Sequence, residues 1–281
     1  FKDISWTDAK KMMFESLAPL GEKYISEVKK GLEQSWADVF PNKGKRSGAY
    51  SWGCYATHPY IFMNYTNSLN DVSTLVHEMG HSMHSFYSMQ KQEFVNSDYT
   101  IFCAEVASIT NENLLLEYML KNASTKEERL YFINQYLEQI RTTVYRQVLF
   151  AEFEKATHQM VEEGGVLTAD ALEKLWLTLN RQYYGSDIVL DDELKAEWSR
   201  IPHFYRPFYV YQYATGYSAA IAISTKILAG DEQVIAGYRK FLSGGSSMHP
   251  IELLKLCGID MTRPDVVQEA LDVFGKLLKQ W

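Results

Sequence analysis

Proline is scarce in this chain, and its distribution favours helices. The sequence has seven prolines in 281 residues, and none lies between Pro59 and Pro202. Since a proline inside a helix removes a hydrogen bond and clashes with the preceding turn, long proline-free stretches can form long helices. Apolar residues also recur at helical spacing, for example in residues 6–35. We therefore expect a mainly α-helical fold.

Turn and capping patterns divide the chain into predicted helices. Residues 6–35 predict one helix or two, and the turn sequence at 41–44 ends this region. The chain is predicted to be helical again from about Asn70, with Asp71 as the expected N-cap of a helix that runs to about Met89. From there the predicted helices cover residues 70–89, 99–121, 125–163, 168–184, a short stretch from 191, 208–229, 231–242, 250–257 and 264–280.

Two short aromatic-rich segments, 48–52 and 60–65, predict strands joined by a loop through His58 and Pro59. An exposed strand edge can pair with an extended peptide, and Gly48, Ala49 and Tyr50 are the residues we expect to do so. The alternative is that this hairpin only braces the next helix. No repeat or linker is evident, so we expect one mainly helical domain over residues 1–281, with a small β element before the helix at 70–89.

Composition excludes several classes of partner. The formal net charge is −7, from 28 basic and 35 acidic residues, and without a long basic run nucleic acid is not an expected partner. No apolar stretch is long enough to span a membrane. The three cysteines fit neither a disulfide framework nor a cysteine-based zinc site, so we expect a reducing, cytoplasmic location. The chain begins at Phe1, so we expect a fragment or processed product of a longer protein.

One motif indicates metal chemistry. Residues 77–81 read His-Glu-Met-Gly-His, which matches H-E-x-x-H. Residues four apart lie one turn apart on the same helix face, so His77 and His81 can reach one ion. Glu78 points about 100° away, where it can hold a water rather than the metal. The alternative is two histidines inside a helical core, but burying Glu78 without a partner would be costly, and a metal is the simplest partner.

A catalytic zinc needs a third protein ligand and an open position. His84 lies about 10 Å from His77 along the helix axis, which is too far for ligation. Glu105 in the next predicted helix is flanked by apolar residues, and buried carboxylates are usually paired or metal-bound. Glu112 and Glu117 are the competing candidates. Glu112 is expected behind the ligands and Glu117 towards solvent.

Three segments carry a resemblance to a known family. They are residues 77–84 (H-E-M-G-H-S-M-H), 102–112 (F-C-A-E-V-A-S-I-T-N-E) and 203–216 (H-F-Y-R-P-F-Y-V-Y-Q-Y-A-T-G). Together they resemble the oligoendopeptidase F branch of the thimet-oligopeptidase-like zinc metallopeptidases, over essentially the whole chain. Because family members are about twice as long, the resemblance implies the catalytic, C-terminal half of a zincin-like protein, whose missing N-terminal half is an expected partner.

The resemblance also implies roles for individual residues. One zinc ion per chain would be held by His77, His81 and Glu105, with Glu78 as the general base. In the segment 203–216, a histidine and tyrosines bind substrate and stabilise the reaction intermediate in the family. The matching histidine is His203. Tyr211 or Tyr213 is the expected catalytic tyrosine, whereas the expected substrate-binding tyrosines are Tyr205, Tyr209 and Tyr217.

The tyrosine segment also has a simpler interpretation, namely core packing. Each buried phenol would then need a hydrogen-bond partner. The alternation of Tyr209, Tyr211 and Tyr213 does not fit a single helix face, so at least one of them is expected outside the core.

The motif predicts a zinc peptidase, and the resemblance implies that it is a metalloendopeptidase that hydrolyses internal bonds of short oligopeptides. One alternative is a zinc carboxypeptidase, for which Arg200 and Arg206 could bind the free carboxylate of a peptide. Another is a fragment that binds peptides without cutting them.

Overall fold

The structure is a computed structural model that describes residues 3–281. Helices account for 68% of it, alongside one small three-stranded sheet, so the expected mainly α-helical class with a small β element is confirmed. The helices are α1 (Trp6–Leu17), α2 (Glu22–Glu33), α3 (Leu69–Lys91), α4 (Ile101–Asn122), α5 (Lys126–Ile140), α6 (Arg146–Glu162), α7 (Ala169–Tyr184), α8 (Tyr211–Leu228), α9 (Glu232–Leu242), α10 (Pro250–Lys255) and α11 (Asp265–Leu278).

The chain forms two compact units. Unit 1 contains the residues up to Leu137 together with Gly216–Trp281, and unit 2 is Glu138–Thr215. The expected single domain over 1–281 stays a prediction. Among the helices of residues 3–281, none is long and apolar enough to cross a membrane.

Helix α3 is the central element of unit 1, and its start differs from the prediction. Ser68, not Asp71, is the N-cap: its hydroxyl accepts the Asp71 N–H, and the Asp71 carboxylate accepts the Ser68 N–H in return. This capping box places Asp71 inside the first turn, where its charge also favours the helix dipole. The helix then buries an apolar stripe of Val72, Leu75, Val76, Met79 and Met83.

Helices α3 and α4 pack closely at a glycine. A Cβ atom added to Gly80 would lie 2.6 Å from Ser108 Cα and 2.8 Å from the Ala107 carbonyl oxygen. Glycine is therefore the residue that lets the two backbones approach. The contact holds the centre of α3 against the first half of α4.

The sheet consists of β1 (Ala37–Asp38), β2 (Tyr50–Trp52) and β3 (Tyr60–Phe62), in the order β1–β3–β2. Strand β2 runs antiparallel to β3, and both are shorter than predicted. Strand β1 runs parallel to β3 and was not predicted, because two residues carry no alternating pattern. Strand β2 lies at one edge of this sheet.

Unit 2 is built around a cluster of aromatic residues. Phe153 on α6 and Trp176 on α7 pack edge to face with ring centroids 5.0 Å apart, and Phe204 packs against both. The predicted long helix at 125–163 is interrupted, because one π-helical turn at Arg141–Tyr145 separates α5 from α6. The short helix predicted from 191 is a 3₁₀ helix at Asp192–Arg200.

Helix α8 starts later than predicted. Phe208 has φ of 57°, a left-handed conformation that is rare for an aromatic residue. Its N–H donates to the Glu154 carboxylate at 2.7 Å instead of entering a helix. The first helical residue is therefore Tyr211, so Tyr209 precedes the helix.

Candidate active site

Three potential metal ligands converge in unit 1. His77 and His81 lie one turn apart on α3, and their Nε2 atoms are 3.1 Å apart. Glu105 on α4 places its Oε2 atom 3.6 Å from His77 Nε2 and 3.5 Å from His81 Nε2. These donors form a compact triangle with one corner from each residue. The close packing of α3 on α4 at Gly80 holds the two sides of the triangle together.

The size of this triangle fits a zinc ion. Zinc binds imidazole nitrogen and carboxylate oxygen at about 2.0–2.1 Å, so neighbouring corners of its tetrahedron are about 3.3–3.4 Å apart. The observed edges of 3.1–3.6 Å bracket that value. Two histidines and one glutamate are also a set that leaves a coordination position open. The residues present therefore fit a catalytic zinc site.

Two further side chains contact the potential ligands through hydrogen bonds and fix their orientation. The Glu112 carboxylate is 3.1 Å from His77 Nδ1, and the Ser108 hydroxyl donates to Glu105 Oε2 at 2.9 Å. Burial alone would lower the pKa of His77, but Glu112 and the other nearby carboxylates raise it to about 9. The contact with Nδ1 leaves Nε2 of His77 facing the other donors, the arrangement that metal-binding histidines adopt.

Glu78 lies beside this triangle, next to the edge strand. Its carboxylate accepts the backbone N–H of Ser51 on β2, and burial raises its pKa above the ordinary value. The hydroxyls of Ser51 and Ser82 are 2.8 Å apart, which ties β2 to α3 on the same side. A buried carboxylate with a raised pKa, close to potential metal ligands, has the properties of a general base.

The geometry of β2 leaves one edge of the sheet open. Ser51 pairs with Ile61, whose N–H donates to Trp36 on the far side of β3. Consequently the N–H of Ser51 faces away from β3, towards Glu78. In the part of the chain that the structure describes, no strand pairs with this edge of β2. Gly48, Ala49 and Tyr50, the predicted peptide-binding residues, lead into it.

The other acidic and histidine candidates lie apart from the triangle. His84 is 1% exposed and stacks on Tyr99 with ring centroids 3.5 Å apart, which agrees with its exclusion as a ligand. The expectation that Glu117 faces solvent is wrong, because its side chain is partly buried and burial raises its pKa. Arg129 partly offsets that effect.

His203 and the predicted tyrosines have different environments within unit 2. His203 lies in a 3₁₀ turn (Pro202–Tyr205), and its Nε2 atom is 3.3 Å from the Tyr213 hydroxyl. The ring of Tyr209 packs against both His203 and Tyr213. Tyr205 and Tyr211 are exposed, at 87% and 42%. Tyr213 is thus the predicted catalytic tyrosine that is hydrogen-bonded to His203.

Tyr217 belongs to unit 1 and is completely buried. Burial raises its pKa well above the ordinary value, and the nearby Tyr136 and Glu112 act in the same direction. Such an environment favours packing over contact with a substrate.

Sequence reasoning placed Ser51 in the candidate edge strand but missed its contact with Glu78, and it missed the contact of Ser108 with Glu105. The i, i+3 spacing between Glu105 and Ser108 could have indicated their contact. Nothing local indicates that Ser51 meets Glu78, since this contact depends on how the sheet packs on α3.

Comparison with known proteins agrees with this geometry. The family model of peptidase family M3 matches residues 5–273. The chain belongs to peptidase family M3. It is 50% identical to oligopeptidase PepF of Bacillus subtilis (strain 168) and 43% identical to the chromosomal oligoendopeptidase F of Lactococcus lactis subsp. cremoris, over 99% of this chain in both alignments. The resemblance to the oligoendopeptidase F branch is therefore confirmed.

A solved oligoendopeptidase F has the same fold. The crystal structure of oligoendopeptidase F from Enterococcus faecium aligns with a TM-score of 0.74 and 36% identity, covering 98% of this chain and 43% of that one. The chain spans 41% of the Bacillus relative and 46% of the Lactococcus relative. It thus corresponds to less than half the length of these two relatives.

Proposed function

We propose that this chain is the catalytic part of a zinc-dependent endopeptidase that cleaves short oligopeptides. The observation that carries the proposal is the triangle of His77, His81 and Glu105 with Glu78 beside it. Membership of family M3 and the names of the two oligopeptidase relatives support the peptidase class.

His77, His81 and Glu105 would hold the zinc ion. When bound, zinc would lower the pKa of a water molecule towards neutrality and polarise the carbonyl group of a peptide. The hydrogen bonds from Ser108 to Glu105 and between His77 and Glu112 hold the ligand side chains in one orientation. Three protein ligands would leave the ion free to bind water or substrate as well.

Glu78 acts as the base and then as the acid. Its carboxylate takes a proton from the attacking water and later passes it to the leaving amine. The Ser51 N–H bond fixes the orientation of the carboxylate during both steps.

The open edge of β2 holds the peptide. An extended substrate can add to this edge through backbone hydrogen bonds, and residues Gly48, Ala49 and Tyr50 provide the first part of it. We assign His203 and Tyr213 as hydrogen-bond donors to the substrate carbonyl as negative charge develops on it. Their contact supports this assignment because it places the two groups side by side, and whichever of them donates in this hydrogen bond must turn from it to donate to the substrate.

One observation weighs against the carboxypeptidase alternative. A carboxypeptidase needs a free cation for the peptide carboxylate, but Arg200 shares the Glu197 carboxylate with Arg146. Arg206 is then the candidate that remains for this role. The expected N-terminal partner half stays a prediction, with which the greater length of the relatives agrees.

Peptides blocked at both ends test the proposal. The zinc-loaded chain is expected to cleave an internal bond of a blocked fluorogenic peptide, and a chelator should stop cleavage until zinc is restored. Cleavage only of peptides with a free carboxyl end would instead establish the carboxypeptidase. Saturable binding of the peptide by the zinc-loaded chain without any cleavage would establish the non-catalytic binding protein.

A further inference from the structure

Unit 2 contains a cavity that the proposed reaction does not use. Its volume is about 220 Å³, and it lies beside the 3₁₀ turn that carries His203. Most of the wall is apolar or aromatic, and Tyr205 stands at 87% exposure on its rim. The main wall residues are Phe153, Leu167, Leu172, Trp198, Ile201 and Phe204.

A buried carboxylate also lines this cavity. Glu154 on α6 is only 4% exposed, and its Oε1 atom accepts the N–H of Phe208. No lysine, arginine or histidine of residues 3–281 forms an ion pair with it, although His158 lines the cavity one turn further along α6. A single backbone hydrogen bond leaves most of the cost of burying a charge uncompensated.

A second glutamate in unit 2 has the cationic partners that Glu154 lacks among the described residues. Glu197 has a side chain that is 11% exposed, and it binds the guanidinium groups of both Arg146 and Arg200. Glu154 is comparably buried but has no cation. Buried charges in proteins are usually paired, so a cation from outside the chain is the partner that this site lacks.

We propose that the cavity binds an alkylammonium group, with the ammonium on Glu154 and the apolar part against the aromatic wall. The rings of Phe153, Trp198 and Phe204 suit the apolar part, and aromatic faces also attract cations. An anion would be repelled by Glu154, and a neutral apolar group would leave the carboxylate unpaired.

Two groups in peptides have this chemistry. One is the side chain of lysine, with its flexible apolar stem, and the other is the free α-ammonium of a peptide whose first residue is apolar. Because the cavity adjoins the His203 turn, we assign it as a subsite for a peptide substrate. That assignment rests on the proposed peptidase function, whereas ammonium binding itself does not.

Calorimetric titration of the intact 281-residue chain with small probes tests the proposal. Nα-acetyl-lysine methylamide carries only the side-chain ammonium, and leucinamide carries only the α-ammonium. Their neutral counterparts are Nα-acetyl-norleucine methylamide and N-acetyl-leucinamide. We expect one of the charged probes to bind in the millimolar range, about tenfold more tightly than its neutral counterpart. Which charged probe binds identifies the group.

The decisive variant is Glu154→Gln. Its amide oxygen can still accept the Phe208 N–H, so the loop keeps its hydrogen bond while the charge is lost. We expect this variant to bind the charged probe about tenfold more weakly. Glu162→Gln is the matched control, because Glu162 is exposed two turns further along α6 and should bind as the unaltered chain does.

Three results would overturn the proposal: neither charged probe binds, the neutral probe binds equally well, or Glu154→Gln leaves binding unchanged. If Glu154→Gln does not fold, as judged by circular dichroism, the comparison of charged and neutral probes still decides. These titrations involve no turnover. If no ammonium probe binds in these titrations, the peptidase proposal is unaffected. If the blocked peptide is not cleaved but an ammonium probe binds, the ammonium site is still established.

Discussion

The two regions with proposed catalytic roles are built in different ways. The triangle of His77, His81 and Glu105 lies on two long helices that pack backbone to backbone at Gly80. His203 lies in a 3₁₀ turn that is followed by the left-handed Phe208, and the tyrosines around it range from half-buried to exposed. The first region is held by interhelical packing, and the second by a turn and local hydrogen bonds.

This difference matches two chemical tasks. A metal site requires donors at fixed separations, and regular packed helices supply such accuracy. Groups that meet varied peptides benefit from turns and loops, where a small backbone adjustment costs less. We therefore expect substitutions in the helical region to affect metal binding or stability, and those in the turn region to affect catalysis while the fold persists.

Removing one of the three potential metal ligands should have the largest effect, which is the loss of zinc. Glu105→Ala is expected to lose zinc during dialysis, because only two protein donors remain. Glu112→Ala should keep most of its zinc, since it loses a hydrogen-bond partner of His77 rather than a ligand, at a cost of about 10–100-fold in affinity. Metal analysis of both purified variants measures this. Equal zinc content in Glu105→Ala and the unaltered chain would require a different third ligand.

Glu78→Gln should retain zinc and the fold but lose at least about a hundredfold in turnover. The amide can still accept the Ser51 N–H, but it cannot take a proton from water. Glu117→Gln is the control, because Glu117 is also partly buried but is not among the three donors. Steady-state cleavage of a blocked peptide gives the comparison. A Glu78→Gln protein with more than about a tenth of the original rate would remove Glu78 from the role of base.

Gly80→Ala should destabilise the packing of α3 against α4. The new methyl group would overlap the backbone at Ser108 and Ala107, so the free energy of unfolding should fall by about 1–3 kcal/mol or more. At Gly275 on α11 a Cβ meets nothing within 4 Å, and Gly275→Ala should be neutral or stabilising by up to about 1 kcal/mol. Urea denaturation of the two variants tests the pair. Equal free energies of unfolding for the two variants would show that α3 and α4 can move apart to make room for the methyl group without loss of stability.

The smallest effect is expected in the turn region. Tyr213→Phe loses the hydroxyl that lies 3.3 Å from His203, and turnover should fall by about tenfold or less, the value of one hydrogen bond. Turnover should fall less in Tyr211→Phe, because Tyr211 is exposed and its hydroxyl makes no hydrogen bond in the part of the chain that the structure describes. The melting temperatures of both should stay close to that of the unaltered chain. A larger loss in Tyr211→Phe would make Tyr211 the catalytic tyrosine.

Local periodicity explains which features could be predicted from the sequence. The H-E-x-x-H spacing places His77 and His81 together whatever surrounds them. The apolar flanks of Glu105 indicated a buried carboxylate, but its side chain is 25% exposed. Long-range contacts explain what was missed. Strand β1 exists only because it pairs with β3, and α8 starts late because the distant Glu154 binds the Phe208 N–H. The capping box at Ser68 was misassigned because Ser68 and Asp71 both favour N-cap positions.

The close approach at Gly80 has a consequence for ion selectivity. Calcium binds oxygen ligands at about 2.3–2.6 Å, so even a tetrahedral arrangement would need corners about 3.8–4.2 Å apart. The edges that join Glu105 to the two histidines are 3.5–3.6 Å, and widening them by a backbone movement would separate α3 from α4 where they pack at Gly80. We therefore expect this helix pair to favour an ion of the size of zinc over the larger calcium.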